Sequence, residues 1–263
     1  MRADRLIGYF KGFKGAAVAF SGGVDSSVVA AAAYKALGDK AVSVTVASEF
    51  LPESELRQAS SVAGALGIRH EVLRMSALEE EAVASNPPDR CYHCKSADFS
   101  AISNIAKKFG ITDVFDGTNA DDPKGRRPGL KAISELGVKS PLLELGIGKE
   151  EVREIARELN LPNAEKPSSP CLASRFPYGM RITREDLERV RESEEYLLKL
   201  GFTELRVRHH GGIARIELTA KELPLIMAPA LREKVVAKLT SLGYNYVALD
   251  LQGFRSGSMD EAL

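Results

Sequence analysis

The sequence predicts an α/β protein: a doubly wound parallel sheet followed by a small C-terminal α+β domain. Three observations lead to this fold class. Short apolar runs alternate with helical periodicity up to about residue 160, and the helical stretches end near glycines. Beyond residue 182 the pattern changes to helix, two strands, helix and strand. Strand–helix–strand alternation is typical of a parallel sheet with helices on both faces.

The first half of the chain supplies the parallel sheet. Apolar runs predict strands at residues 16–20, 41–47, 68–74 and 112–117. Stretches rich in Ala, Leu, Glu and Lys predict the helices between them, at residues 26–37, 53–66 and 92–109. These helices end near Gly38, Gly67 and Gly110, and glycine is the residue that most often terminates a helix. A further helix at residues 3–11 precedes the first strand.

The second half begins with an irregular, proline-rich segment. Residues 160–181 contain four prolines and few periodic apolar positions, and loops of that length are usually functional or disordered. A helix at 183–200 follows, with Thr183 and Asp186 as its capping pair. The remaining elements are a hairpin (203–210 and 213–218), a helix (228–242) and a strand (245–251). We therefore expect a domain at 1–165, a cysteine-bearing loop at 166–181 and a small α+β domain at 182–263.

The overall composition favours an ordinary globular protein with no general attraction to nucleic acid or membranes. Lys and Arg total 36, as do Asp and Glu, so any anion site must be local. The longest apolar runs are too short to cross a bilayer, and the first fifteen residues lack the pattern of a secretory signal. We expect a cytoplasmic location, where three cysteines serve better as ligands or nucleophiles than as a disulfide framework.

The first candidate site is the run SGGVDSS, which follows the first strand directly. Glycines allow left-handed backbone and bring bare N–H groups close to a ligand, and the following helix adds unsatisfied donors and a partial positive charge. Such a turn binds phosphate; the simpler alternative is a tight turn capped by Asp25 or a serine. The candidate nucleotide contacts here are Ser21, Gly22, Gly23, Asp25, Ser26 and Ser27.

This run closely resembles the PP-loop of ATP pyrophosphatases, and it lacks the lysine of a Walker A loop. The resemblance implies that ATP is cleaved between its α and β phosphates, that the loop holds pyrophosphate, and that AMP passes to the substrate. In DGTNADD, at the end of a later strand, Gly117 and Thr118 could approach the nucleotide. Asp121 or Asp122 could hold Mg²⁺ or a ribose hydroxyl, unless the segment is only a polar loop. Arg126 and Arg127 follow, either as anion contacts or as solvated surface.

The three cysteines narrow the choice of family among the ATP pyrophosphatases. Cys91 and Cys94 are three positions apart, hence on one face if the segment is helical, and Cys171 lies in the irregular loop. Together with SGGVDSS, the runs DGTNADD, RRPGLKA, KEEVREIARELNLP, KPSSPCLASR and RVRHHGGIARIEL resemble LarE-type sulfur transferases over nearly the whole chain. These enzymes adenylate a carboxylate of pyridinium-3,5-biscarboxylic acid mononucleotide and convert it to a thiocarboxylate, a step in building the nickel-pincer nucleotide cofactor.

The resemblance leaves two sources for the sulfur. Some family members sacrifice the sulfur of the cysteine that matches Cys171, whereas members with three cysteines are thought to hold a [4Fe–4S] cluster. Here Cys91, Cys94 and Cys171 could hold three irons and leave the fourth open to sulfide. A zinc site built from the same cysteines with His93 or His70 is the alternative.

Cations complete the predicted site. Arg175 lies beside Cys171 and, with it and Asp25, is a candidate for the catalytic step, where a cation would stabilise developing charge. Arg206 and Arg208 alternate on a strand and so share one face, which suits the 5′-phosphate of a mononucleotide, unless both are solvated. Glu217 could orient one of them, with Glu194 a weaker candidate. His209 and His210 are predicted to be turn residues and not ligands.

Rival functions remain open at this point. Another PP-loop enzyme, a tRNA thiolase or an amidating synthetase, would need a basic RNA-binding surface or an ammonia source. A nucleotide-binding regulator with structural zinc is the non-enzymatic alternative. The resemblance also implies a homo-oligomer formed through the C-terminal domain, and the chemistry calls for a sulfide donor as partner.

Overall fold

The structure is a computed structural model that describes residues 2–122, 127–167, 170–255, 257–259 and 261. Arg126 lies outside these residues. The chain forms two compact units: one contains Met1–Ala77 and Asp89–Ser169, and the other contains Leu78–Pro88 and Pro170–Leu263. The short stretch Leu78–Pro88 therefore belongs with the C-terminal unit, although the sequence pattern assigns it to the first domain.

The N-terminal unit is built on a four-stranded parallel sheet. Its strands are β1 (Ala16–Ala19), β2 (Ala41–Ala47), β3 (Arg69–Arg74) and β4 (Val114–Phe115), in the order β3-β2-β1-β4. All three strand pairs are parallel. The sheet reverses its direction of growth at β1, which lies between β2 and β4. In open parallel sheets, ligands collect beyond the carboxyl ends of the strands at such a reversal.

Helices cover both faces of this sheet. They are α1 (Arg2–Phe10), α2 (Val24–Leu37), α3 (Glu53–Leu66), α5 (Arg90–Lys108), α6 (Pro128–Glu135), α7 (Pro141–Glu144) and α8 (Lys149–Glu158). One apolar cluster joins α1, α2, α3 and α8 through residues such as Leu6, Val28, Val62 and Ile155. A second cluster joins α5 and α6 through Phe99, Ile102 and Ile133. The doubly wound α/β class predicted from the sequence is confirmed.

The alanine-rich helix α2 shows why this face packs closely. Nine of its residues are buried, and all nine are alanine, valine or serine. Small side chains let the helix lie close to the sheet on one side and to α1 and α8 on the other. The helix is thereby held firmly at its N-terminus, directly after β1.

The C-terminal unit has a three-stranded sheet in the order β5-β6-β7. Strands β5 (Leu205–His210) and β6 (Ile213–Leu218) form an antiparallel hairpin, and β7 (Tyr246–Leu249) is parallel to β6. This unit also contains the helices α4 (Glu81–Ala84), α9 (Arg184–Lys199), α10 (Leu223–Ile226) and α11 (Pro229–Ser241). Leu197, Val207, Ile216, Leu239 and Tyr244 form the centre of its core. The predicted small α+β fold is confirmed.

Element boundaries follow the predictions closely, with a few differences. Helix α2 begins two residues earlier than predicted, at Val24, and the strand predicted at 112–117 is only Val114–Phe115. β4 is short because the next side chain, Asp116, accepts hydrogen bonds from Thr118 and Ser140 in the loop that follows. The predicted cap of α9 is present, since the Asp186 amide donates to Thr183 Oγ1 at 3.1 Å. Within the residues described, no helix is long and apolar enough to cross a membrane.

Candidate functional site

The glycine bend between β1 and α2 has the shape of an anion-binding loop. Gly22 has φ of +70°, and a Cβ placed there would lie 2.7 Å from the Cα of Ala59 on α3. Only glycine fits this position without strain. Gly23 is the N-cap of α2 and makes no side-chain cap, so the helix start relies on other groups to satisfy its N–H donors. This is the environment that a phosphate occupies at a helix N-terminus.

Two serines line the bend. Ser26 Oγ accepts from the Ser21 amide at 3.2 Å, lies 3.1 Å from Ser21 Oγ and donates to the Gly23 carbonyl at 3.1 Å. The Gly23 amide donates to Ser21 Oγ at 3.3 Å. Ser27 differs from these two because its side chain is fully buried and its hydroxyl accepts a hydrogen bond within the protein. Ser27 is therefore better placed to support the loop than to contact a nucleotide.

Asp25 is paired with a lysine that the sequence reasoning missed. Lys149, the first residue of α8, donates to Asp25 Oδ2, and Asn119 Nδ2 donates to the other carboxylate oxygen at 3.1 Å. A cation in the first turn of a helix is unfavourable to the helix dipole. The lysine that begins the KEEVR run was therefore a signal, available in the sequence, that Lys149 has a role in a binding site.

The loop after β4 packs against the glycine bend. A Cβ on Gly117 would lie 2.8 Å from the Ser26 amide nitrogen, so the close approach expected of this glycine is to the start of α2. Thr118 is buried and donates to Asp116 from both its amide and its hydroxyl. Asp121 accepts from the Lys149 amide at 2.8 Å and so caps α8. Asp122 accepts from the Asn119 amide and lies 3.3 Å from the guanidinium of Arg127.

Two of the three cysteines share a helix. Cys91 and Cys94 lie in the first two turns of α5, with Cys91 exposed and Cys94 partly exposed. The guanidinium of Arg90 lies 3.9 Å from the Cys91 sulfur. The Cys94 thiol donates to Asp98 at 3.8 Å, and burial raises the pKa of Asp98 to about 6.

Cys171 belongs to the C-terminal unit and is exposed, directly before a short 3-10 turn at Leu172–Arg175. Among the residues that the structure describes, no three His, Cys, Asp or Glu side chains are arranged to hold a metal ion. The two histidines considered for zinc have other neighbours. His93 lies 3.4 Å from Asp89, and His70 Nε2 is 2.8 Å from Thr45 Oγ1.

Arg175 is buried and holds the backbone of the Cys171 loop in place. Its guanidinium makes two hydrogen bonds of 2.9 Å to Glu194 and donates to the carbonyls of Pro170 and Cys171 at 3.1 and 3.2 Å. Glu194 also accepts from the Val207 amide of β5. The geometry gives Arg175 a part in fixing the backbone at Cys171, with Glu194 as its ion-pair partner.

The arginines of β5 form a crowded cationic group. Arg208 is buried and donates to Glu217 at 2.7 Å, to Ser258 at 3.0 Å and to the Ser174 carbonyl at 2.8 Å. Arg206 stacks on the Phe254 ring at 4.9 Å. Burial, assisted by the charges of Arg175 and Arg208, lowers the pKa of Arg206 to about 10. A negatively charged ligand would relieve this crowding.

The adjacent histidines are the last two residues of β5, so the prediction that they are turn residues is wrong. His209 is buried between the rings of Phe176 and Tyr244, with centroids 5.1 and 5.7 Å away. Burial lowers the pKa of His209, and Asp186, 3.5 Å away, partly offsets this effect. Burial also lowers the pKa of His210.

A glycine bend after a central parallel strand, two serines, and a carboxylate at the start of the next helix define the PP-loop class of ATP-binding proteins. Comparison with known proteins supports this class. Residues 9–100 match the NAD synthase family. The chain is 40% identical over its full length to an uncharacterized protein of Synechocystis sp., covering 98% of that protein.

Two further relatives have named activities. The pyridinium-3,5-bisthiocarboxylic acid mononucleotide synthase of Lactiplantibacillus plantarum is 39% identical over 98% of this chain and 93% of its own length. One component of the glutamine-hydrolyzing GMP synthase of Saccharolobus solfataricus is 30% identical over 69% of this chain and 54% of its own length. The chain belongs to the LarE family, and it is an ATP-dependent sulfur-transferring enzyme.

Proposed function

We propose that this protein adenylates a carboxylate of pyridinium-3,5-biscarboxylic acid mononucleotide and exchanges the activated oxygen for sulfur, in nickel-pincer cofactor synthesis. The observation that carries this proposal is the 39% identity to the synthase of Lactiplantibacillus plantarum across both chains. The motifs that distinguish the family lie within this match, in the bend at residues 21–27 and in the loop around Cys171.

Activation by ATP makes chemical sense for this substrate. A carboxylate resists nucleophiles, because attack adds charge to an anion and would expel oxide. Joining it to AMP neutralises that charge and creates a leaving group, with pyrophosphate released. Sulfur then attacks the acyl carbon, AMP leaves, and cations near the reacting group stabilise the charge that develops.

The N-terminal unit would bind ATP with Mg²⁺. The N–H and hydroxyl groups of the bend and the start of α2 would hold the pyrophosphate portion through Ser21, Gly22, Gly23 and Ser26. Ser27, Gly117 and Thr118 are buried or close to α2, so they would shape the site. Asp25 would face the metal-bound nucleotide, and its partner Lys149 would exchange this ion pair for one with a phosphate. Asp121 would hold the helix that carries Lys149.

The C-terminal unit would bind the phosphate of the mononucleotide. Arg206 and Arg208 lie on one strand. Burial is the main cause of the lowered pKa of Arg206, and the positive charges of Arg175 and Arg208, which a phosphate would neutralise, add to it. Arginine pairs bind phosphate through several directed hydrogen bonds. Glu217, buried and bonded to Arg208, would hold that guanidinium in place.

For the sulfur source we propose a [4Fe–4S] cluster held by Cys91, Cys94 and Cys171. Thiolates are the ligands of such clusters, and Cys91 and Cys94 stand three residues apart on one helix, with both at least partly accessible. When bound, the cluster would supply sulfide through its fourth iron. Arg175 would keep the backbone of Cys171 in place through its two carbonyl contacts. A sulfide donor would then be the physiological partner.

We also propose a cytoplasmic homo-oligomer that assembles through residues 182–263, as family resemblance implies. Analytical ultracentrifugation of the intact chain would measure its mass in solution. A monomeric mass at micromolar concentrations would contradict the proposed oligomer and would not affect the catalytic proposal.

One experiment tests the proposed function and the sulfur source together. Protein purified without oxygen is mixed with ATP, Mg²⁺, the bis-acid mononucleotide and sulfide, and the thiocarboxylate is followed by mass spectrometry. We expect iron and sulfide in the protein, broad absorbance at about 400 nm, and several product molecules per protein chain.

Two cysteine variants test the sulfur source. Cys91→Ala should abolish repeated turnover, and Cys171→Ala should abolish sulfur transfer while AMP is still formed. Loss of sulfur from Cys171 after a single turnover would contradict the cluster, and absence of thiocarboxylate would contradict the function.

A further inference from the structure

A buried asparagine outside the motifs holds the glycine bend. Asn163 lies in the turn after α8 and is 4% exposed. Its side-chain nitrogen Nδ2 donates to the Gly22 carbonyl at 2.9 Å and to Ser27 Oγ at 2.9 Å. The amide cannot be reversed without cost, because its oxygen would then face the carbonyl oxygen of Gly22, and neither can donate.

We propose that Asn163 is a positioning residue that sets the orientation of the Gly22–Gly23 peptide for pyrophosphate binding. This inference rests on the proposed binding of pyrophosphate in the bend. A peptide unit is planar and trans, so its C=O and N–H point in opposite directions. Fixing the Gly22 carbonyl toward Asn163 therefore turns the Gly23 N–H the other way, toward Ser21 Oγ at 3.3 Å. That is the side of the bend where the serine hydroxyls gather.

The backbone around Asn163 is itself firmly held. The guanidinium of Arg153 on α8 donates to the carbonyls of Ala164 and Lys166, each at 3.5 Å. Lys166 forms a largely buried ion pair of 2.7 Å with Glu55 on α3. Asn163 thus extends from a segment tied to two helices, which gives it a fixed position from which to orient the bend.

The unpaired oxygen of the same side chain is further support. Asn163 Oδ1 is buried and, among the described residues, has no hydrogen-bond partner. A buried acceptor without a partner is destabilising. An apolar side chain would avoid that cost but would lose both donated hydrogen bonds. Retaining an amide here is consistent with a need for the two N–H groups at the bend.

The proposal is tested by separating pyrophosphate affinity from stability. Asn163→Asp keeps the shape but places an oxygen opposite the Gly22 carbonyl, and Asn163→Ser removes the contact without adding charge. Calorimetry with inorganic pyrophosphate and Mg²⁺ measures affinity, and thermal melting measures stability. We expect each variant to bind pyrophosphate about 10-fold more weakly, the effect of one well-directed hydrogen bond. The KM for ATP should rise accordingly.

Asn86→Asp is the matched control. Asn86 is also buried and donates to a backbone carbonyl, that of Pro177 at 2.8 Å, but it lies in the C-terminal unit. It should lower the melting temperature and leave pyrophosphate affinity unchanged. If folded Asn163→Ser binds pyrophosphate as the unmodified protein does, the proposal is overturned. If the unmodified protein itself does not bind pyrophosphate, the proposed function of the bend fails instead.

Discussion

Replacing each of the two adjacent glycines with alanine should have very different effects, although the chemical change is identical. Gly22 has φ of +70° and Gly23 has φ of −76°. Alanine in the left-handed region costs about 1–2 kcal/mol. At Gly22 its methyl group would also lie 2.7 Å from the backbone of Ala59, and such overpacking costs about 1–3 kcal/mol.

The sum for Gly22→Ala is about 3 kcal/mol, which corresponds to a fall in melting temperature of about 6–12 °C for a unit of this size. At Gly23 the new methyl group would meet only Ser21 Oγ at 3.3 Å, and that hydroxyl can rotate away. The backbone there suits alanine, so we expect a change of less than about 2 °C, because restricting the unfolded chain offsets the crowding.

Thermal melting followed by circular dichroism measures both variants under one set of conditions. Equal losses of stability would refute the argument, since it depends on the left-handed backbone and on the contact with Ala59. AMP formation should also fall in Gly22→Ala, because relief of the clash requires the bend to move.

Three further predictions concern single contacts. Lys149→Met should lower the rate of AMP formation at least about tenfold, because Asp25 loses its cation, while stability changes by less than about 1 kcal/mol for this partly exposed pair; an unchanged rate in a product assay would contradict the role of Lys149. Glu194→Gln should lower the unfolding free energy by about 3 kcal/mol, since it leaves Arg175 buried without its charge partner. The matched change Glu81→Gln, in an exposed pair with Arg181, should have no measurable effect in the same denaturant titration. Burial holds the pKa of His209 below its ordinary value, so the unfolded chain binds the proton more readily, and this contribution to stability is present above about pH 6.5 and is lost as pH falls. His209→Phe should therefore show a smaller fall in melting temperature between about pH 7.5 and about pH 5.5 than the unmodified protein, and an identical fall would exclude His209 as a source of the pH dependence.

Much of the fold could be predicted because the local signals agree with one another. The apolar run before Ser21, the alanine-rich helix after it and the glycines that end the helices all indicate a parallel α/β sheet. The cap of α9 was predictable because Thr183 and Asp186 are close in sequence. The stretch Leu78–Pro88 was assigned to the wrong side of the division into two units, because its contacts, such as the Asn86 side chain with the Pro177 carbonyl, join residues far apart in sequence.

The sequence indicates only part of the candidate site. Residues 21–27 carry their own signal, since glycines and serines at a strand end have few other uses. Lys149 and Asn163 were missed because each acts across more than a hundred positions of sequence, on Asp25 and Gly22. The local signal at Lys149, a cation in the first turn of a helix, does not identify its partner, and Asn163 has no distinctive local pattern. Likewise, the sequence places Arg175 beside Cys171, but only the structure reveals that Glu194 holds its guanidinium.

The most direct test of the central claim is the identity of the nucleotide products. The protein with ATP, Mg²⁺ and the bis-acid mononucleotide is followed by phosphorus NMR. A bend that holds the β and γ phosphates as one unit predicts AMP and pyrophosphate, in equal amounts and only when the acid is present. Formation of ADP and inorganic phosphate would contradict the account.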